Sequence, residues 1–83
     1  MLIQFVKNKK GRKIGCVVAT DFNSVGWSLC HKNDKFKKNE AVEIARGRAV
    51  TPRQKNLTNI PNSISKDYDA MRERATRYFK INP

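Results

Sequence analysis

The alternation of apolar and polar positions divides the chain into five predicted elements. Residues 2–6 are apolar apart from Gln4, and Ile3, Phe5 and Val6 favour extended backbone. Residues 14–20, Ile14-Gly15-Cys16-Val17-Val18-Ala19-Thr20, form a second run of the same kind. The polar stretch between them carries the turn formers Asn8 and Gly11, so the two runs predict a β-hairpin. Asp21-Phe22-Asn23-Ser24 reads as a second turn. In residues 25–30, Val25, Trp27 and Leu29 alternate with Gly26, Ser28 and Cys30. That period of two gives a strand with one large apolar face and one small face, and the small face can accept a closely packed helix. Trp27 is expected in the core. Three consecutive strands predict an antiparallel meander.

Past residue 30 the period changes. Asn33 or Asp34 is suited to cap a helix, because its side-chain oxygen can accept an unpaired backbone N–H. The helix is predicted from about Lys35 to Gly47 or slightly beyond. It places Phe36, Ala41, Ile44, Ala45 and Ala49 on one broad face, with Lys37, Lys38, Glu40, Glu43 and Arg46 on the others. Trp27, Phe36 and Ile44 are expected to tie sheet to helix, and Gly47 can end the helix in a left-handed cap. Residues 48–62 lose periodicity and are rich in Pro, Asn and Thr, which predicts a long connection pinned to the core by Leu57 and Ile60. The last helix is predicted to start at Ser65 as N-cap. Ile64, Tyr68, Met71, Ala75 and Tyr78 recur at spacings of four, three, four and three, and Phe79 widens the stripe. Such a stripe predicts core packing, with a dimer through this helix left open. The sum is one small basic α+β domain over residues 1–83, a three-stranded antiparallel sheet packed against two helices in the order β-β-β-α-α.

Composition narrows the function. A chain of 83 residues holds one domain and a small core. Two cysteines allow at most one disulfide, which is ordinary for cytosolic thiols. The apolar N-terminal run stops at Lys7 with no charged region ahead of it, the pattern of neither a signal peptide nor a membrane span, so a cytoplasmic protein is expected. Eighteen Lys and Arg against seven Asp and Glu leave a net charge of +11. That excess attracts polyanions, of which nucleic acid is the commonest in cytoplasm. The candidate phosphate contacts are Lys9, Lys10, Arg12 and Lys13 on the hairpin, then Lys37, Lys38, Arg46, Arg48 and Arg53. Lys35, Lys37 and Lys38 fall in the first turn of the predicted helix, where its dipole disfavours cations; a cluster tolerated there points to an anion nearby.

Catalytic chemistry has no such support. Cys30 and His31 are neighbours, which on a strand point to opposite faces and cannot form a thiolate–imidazole pair. Cys16, Cys30 and His31 lack the paired spacing of a zinc site. Asp21, Asp34, Glu40 and Glu43 would be the carboxylates of a metal-dependent nuclease, and nothing in their spacing brings them together. Phosphate-loop, dinucleotide, zinc-finger and RRM signatures are absent. A protein without enzymatic activity, cofactor or metal is expected.

Gly26-Trp27-Ser28-Leu29-Cys30, Asp34 and Phe36, and Ile44-Ala45-Arg46-Gly47-Arg48-Ala49 together resemble small bacteriophage-encoded proteins of unassigned function. In those a strand ending in a small residue and Cys is followed by Asp-x-Phe and a helix closing on Ile-Ala-x-x-Arg-Ala. This sequence departs at Ala41, where Gly is common. The resemblance covers about a third of the chain and implies a phage or prophage origin and an infected host cell as the setting; it transfers no catalytic residue. In structural terms Asp34 would cap, Phe36 and Ile44 would pack, and Arg48 would bond carbonyls or an acidic side chain. The leading expectation is a phage accessory protein that binds nucleic acid, DNA in the first instance, through phosphate contacts. The alternative is an inhibitor that binds and blocks a host protein machine such as RNA polymerase, a nuclease or a CRISPR or other anti-phage complex.

Overall fold

The structure, a computed structural model, describes residues 1–30, 35–50 and 60–79. Three strands, β1 (Leu2–Lys7), β2 (Lys13–Asp21) and β3 (Ser24–Leu29), form an antiparallel sheet in the order β1-β2-β3. Two helices follow, α1 (Lys38–Val50) and α2 (Asn62–Tyr78). Each strand extends slightly beyond or shifts by one residue from its predicted limits, and the β-β-β-α-α order is as expected.

The helices take opposite faces of the sheet. Cys16 and Val18 pack with Ala41 and Ala45 of α1, whereas Val17 and Ala19 pack with Ile64, Tyr68, Met71 and Ala75 of α2. The central strand β2 is therefore buried on both sides, and residues 16–19 are fully inaccessible. An unbroken apolar run is what a strand covered twice requires. Burying Val6, Val17, Val18, Ile64 and Met71 stabilises the fold by about 1.5–3 kcal/mol per side chain before entropy is counted.

The α1 layer is built on small residues. Ala41, Ala45 and Ala49, four apart, form the whole buried stripe of the helix. They lie over the small face of β3, where Gly26 and Ser28 are buried. A Cβ at Gly26 would overlap the Ala45 carbonyl oxygen and the Ala49 amide nitrogen and come within 3.0 Å of the Ala49 Cα. Helix backbone thus rests on strand backbone, as the small face of β3 predicts. Ser28 Oγ donates to the Ala41 carbonyl at 2.8 Å, and the Cys16 thiol donates to the same oxygen at 3.2 Å. Cys16 and Ser28 also lie 3.4 Å apart. The polar groups under α1 are thereby satisfied.

Several local expectations are corrected. The start of α1 at Lys38 leaves Lys35, Phe36 and Lys37 in the approach to the helix rather than in its first turn. Gly47 is not a left-handed cap: the helix runs through it to Val50, and Gly11 has the one positive φ, +82°, among the described glycines. Ile44 is 46% exposed instead of tying helix to sheet, because the alanine stripe brings α1 too close for a larger residue at its centre. Trp27 belongs to the other layer, half-buried against the α2 cluster. In α2 the N-cap is Pro61, and Ser65 lies inside the helix with its hydroxyl donating to the Asn62 carbonyl at 3.1 Å. Tyr78 is 66% exposed and Phe79 packs on the core in its place. Ile60 does pack against the core, as expected. Asn33, Asp34 and Leu57 lie outside the described residues.

The outer edge of β3 is closed from both layers. Val25 and Trp27 oppose Ala19 and Val17, while the Cys30 amide bonds the Ile14 carbonyl. In this alternation the backbone groups of Val25 and Trp27 point away from β2. The Trp27 carbonyl accepts Arg48 Nη1 at 2.9 Å, and the Val25 carbonyl accepts the Tyr68 hydroxyl at 3.4 Å. The Arg48 guanidinium also lies 4.2 Å from the centre of the Trp27 ring. One residue from each helix therefore covers an edge that would otherwise invite another strand.

Two buried groups make stability depend on alkaline pH. Burial pushes the Cys16 thiol above its ordinary value, against a smaller opposite effect of its hydrogen bond with Ser28. Burial also raises the Tyr68 phenol, opposed by Arg72 and assisted by Asp69. As pH rises, both groups ionise first in the unfolded chain, so the unfolded state binds fewer protons and stability falls. Below the unfolded values the contribution is intact. Thermal melts from about pH 8 to about pH 10 should show the wild type losing Tm faster than Cys16→Ala; parallel pH profiles would contradict this assignment.

Candidate nucleic-acid interface

The hairpin tip is fixed by its own polar groups. The Asn8 amide donates to the Arg12 carbonyl at 2.9 Å, and the Gly11 amide to the Asn8 carbonyl at 3.0 Å. Asn8 Oδ1 accepts the Lys10 and Arg12 amides at 2.9 and 3.0 Å. Gly11 supplies the left-handed conformation that the turn needs. Backbone donors satisfied from within leave the side chains of Lys9, Lys10 and Arg12, all exposed, directed to solvent around a defined loop.

Topology brings the start of α1 to the same end of the domain. β1 runs towards the tip, β2 away from it and β3 back again, so the chain leaves β3 beside the hairpin tip. The contact is direct: Lys13 Nζ lies 5.0 Å, and Lys38 Nζ 5.4 Å, from the centre of the Phe5 ring. Phe36 meets Phe5 edge-on, with centroids 6.1 Å apart and planes at 85°. Two ammonium groups on one ring repel each other, and the π-face offsets that only in part. Lys7, Lys9, Lys10, Arg12, Lys13, Lys35, Lys37 and Lys38 all belong to this pole, and all are exposed. Among the described residues Glu40 is the carboxylate beside them. It is 3.8 Å from Lys37, with both side chains about 70% exposed, an ion pair that neutralises little of the field.

Of the residues expected to contact phosphate, Lys9, Lys10, Arg12, Lys13, Lys37 and Lys38 are thus gathered on one pole. Arg46 is exposed on α1, eight residues and about 12 Å along the helix from Lys38. Arg48 is committed to Trp27, so its role in this fold is structural, in line with the expected bond to carbonyls. Arg53 lies outside the described residues. Lys7 and Lys35 join the pole in addition to the residues expected to contact phosphate, and Phe5 and Phe36 form its aromatic centre. Arg72, Arg74 and Arg77 are exposed on α2, across the sheet, with acidic neighbours; Arg77 lies 3.9 Å from Glu73.

Among the described residues, the carboxylates considered for metal chemistry, Asp21, Glu40 and Glu43, do not converge, and Asp34 lies outside the described residues. Asp21 ends β2 at the opposite pole, about 26 Å from Lys13 for a nine-residue strand. There it accepts the Asn23 amide at 2.8 Å and the Ser24 hydroxyl at 3.0 Å, closing the second turn. Glu40 and Glu43 are on α1. Among the described residues no three His, Cys, Asp or Glu side chains are grouped to hold a metal ion. Cys16 and Cys30 are not joined by a disulfide. No helix of the described residues is long and apolar enough to cross a membrane.

Comparison with protein-family models, with curated proteins and with solved structures gives no match. Among the residues of the resemblance, Gly26 meets the backbone of Ala45 and Ala49 too closely for any side chain, and Trp27 and Arg48 close the edge of β3.

Proposed function

We propose that this chain is a small nucleic-acid-binding protein, acting on DNA as a phage accessory factor, and that the pole formed by the hairpin tip and the start of α1 is its phosphate-binding surface. The observation that carries the reading is the meeting of Lys13 and Lys38 on the Phe5 ring, which joins two basic segments into one field. A phosphate backbone holds a condensed cloud of cations, and eight protein cations beside one carboxylate displace them with a gain in entropy. Such contacts fix position rather than read base sequence, so binding is expected to be strong at low salt and weakly sequence-dependent. The resemblance of residues 26–49 supports the phage setting.

Fluorescence anisotropy with a labelled 20-base-pair duplex at two salt concentrations tests this. About six to eight phosphate contacts predict an affinity loss of about a thousandfold or more between 50 and 200 mM salt. No binding at the lower salt would overturn the reading. It would favour an acidic protein surface, as on a blocked host machine, over duplex DNA as the target of the pole.

A further inference from the structure

Beside the basic pole, α1 and the end of β3 enclose an open cleft of about 630 Å³. Its walls are Leu29, Phe36 and Ile44, its floor reaches Ala41, and Lys35 and Lys37 stand on its rim. Leu29 is 36% and Ile44 46% exposed, so the cleft offers apolar surface to solvent beside a dense positive field. A duplex cannot use such a cleft, because its bases are stacked inside and only their edges reach the grooves. A single strand can: its bases unstack at little cost and bring flat apolar faces, while its phosphates meet the lysines. The volume is within the range of about 300–1,000 Å³ that holds a compact organic ligand, enough for a base with its sugar. Glu40 also lines the cleft, with its carboxylate 3.8 Å from Lys37.

We propose that this cleft receives an unstacked base of a single-stranded nucleic acid whose backbone lies across the hairpin lysines, and that the protein therefore prefers single strands to duplex. The inference rests on the nucleic-acid reading of the pole and adds to it the form of the target. One stacked or apolar base contact is worth about tenfold in affinity.

The test uses three labelled probes at one salt concentration: a 20-nucleotide single strand, its duplex, and the same strand with abasic sugars at its central positions. The single strand should bind about tenfold tighter than the other two. Ile44→Ser, on an exposed position and checked for folding by circular dichroism, should lower single-strand affinity to the duplex level and leave duplex affinity unchanged. Equal affinity for all three probes would overturn the cleft's role while leaving phosphate binding at the pole intact. Binding of none of them would overturn both.

Discussion

Reversing three charges at the hairpin, Lys9→Glu, Lys10→Glu and Arg12→Glu together, should weaken DNA binding about a hundredfold or more at 50 mM salt. The three side chains are exposed, and the turn beneath them is held by Asn8 and by Gly11. Removing them breaks no packing contact and should leave the melting temperature within a few degrees of wild type. The loss has two parts: three phosphate contacts disappear, and three carboxylates are brought against the phosphates that remain. Net charge alone would also weaken binding, so a matched control is needed. Arg72→Glu, Arg74→Glu and Arg77→Glu change the total charge by the same amount, but on α2 across the sheet. That variant should keep affinity within about tenfold of wild type, since charges beyond a Debye length of about 14 Å at this salt are largely screened. Equal losses in both variants would mean that the protein binds by overall charge and has no pole.

The largest structural effect is expected at Gly26. Gly26→Val should leave the protein largely unfolded at room temperature by circular dichroism. Any side chain at this position collides with the Ala45 carbonyl and the Ala49 amide, which are helix backbone and cannot rotate aside. Either α1 lifts off the sheet, or the strand bends and exposes β2. Overpacking of a core costs about 1–3 kcal/mol where side chains can yield, and more where they cannot. A domain this small has only about 5 kcal/mol in hand. Lifting α1 would also strip the Ala41 carbonyl from Ser28 and Cys16, and Arg48 from Trp27. A Gly26→Val protein that melts within a few degrees of wild type would show that α1 is not seated as described.

Much of this was legible in the sequence, for identifiable reasons. The strands announce themselves by β-branched and aromatic runs between Asn, Asp and Gly turns, and the Gly26–Ser28 face signals a close helix. That β2 is covered on both sides is also written in its unbroken run, Cys16-Val17-Val18-Ala19, which contrasts with the alternation in β3. Other features come from tertiary constraint. A stripe of three alanines is a weak periodic signal, so larger neighbours such as Phe36 and Ile44 draw a predicted helix face towards themselves. Tyr78 and Phe79 both continue the stripe of α2 by spacing. The helix ends between them, and the turn at Phe79, whose amide bonds the Ala75 carbonyl at 2.9 Å, sends the second ring inwards. The basic residues were visible individually. Their convergence was not, because it depends on strand parity: a three-stranded meander returns the chain to the end where its first hairpin turns, so α1 begins beside that tip. Arg48 shows the converse, since composition counts it among phosphate ligands while Trp27 holds it at the edge of β3.

The most direct measurement of the central claim is the salt slope of duplex affinity in wild type and in the Lys9, Lys10, Arg12 variant, compared side by side. With about eight contacts at the pole the wild-type slope of log affinity against log salt should be about −7, and loss of three contacts should make it shallower by about 3. A wild-type slope near zero, or the same slope in both proteins, would contradict the account.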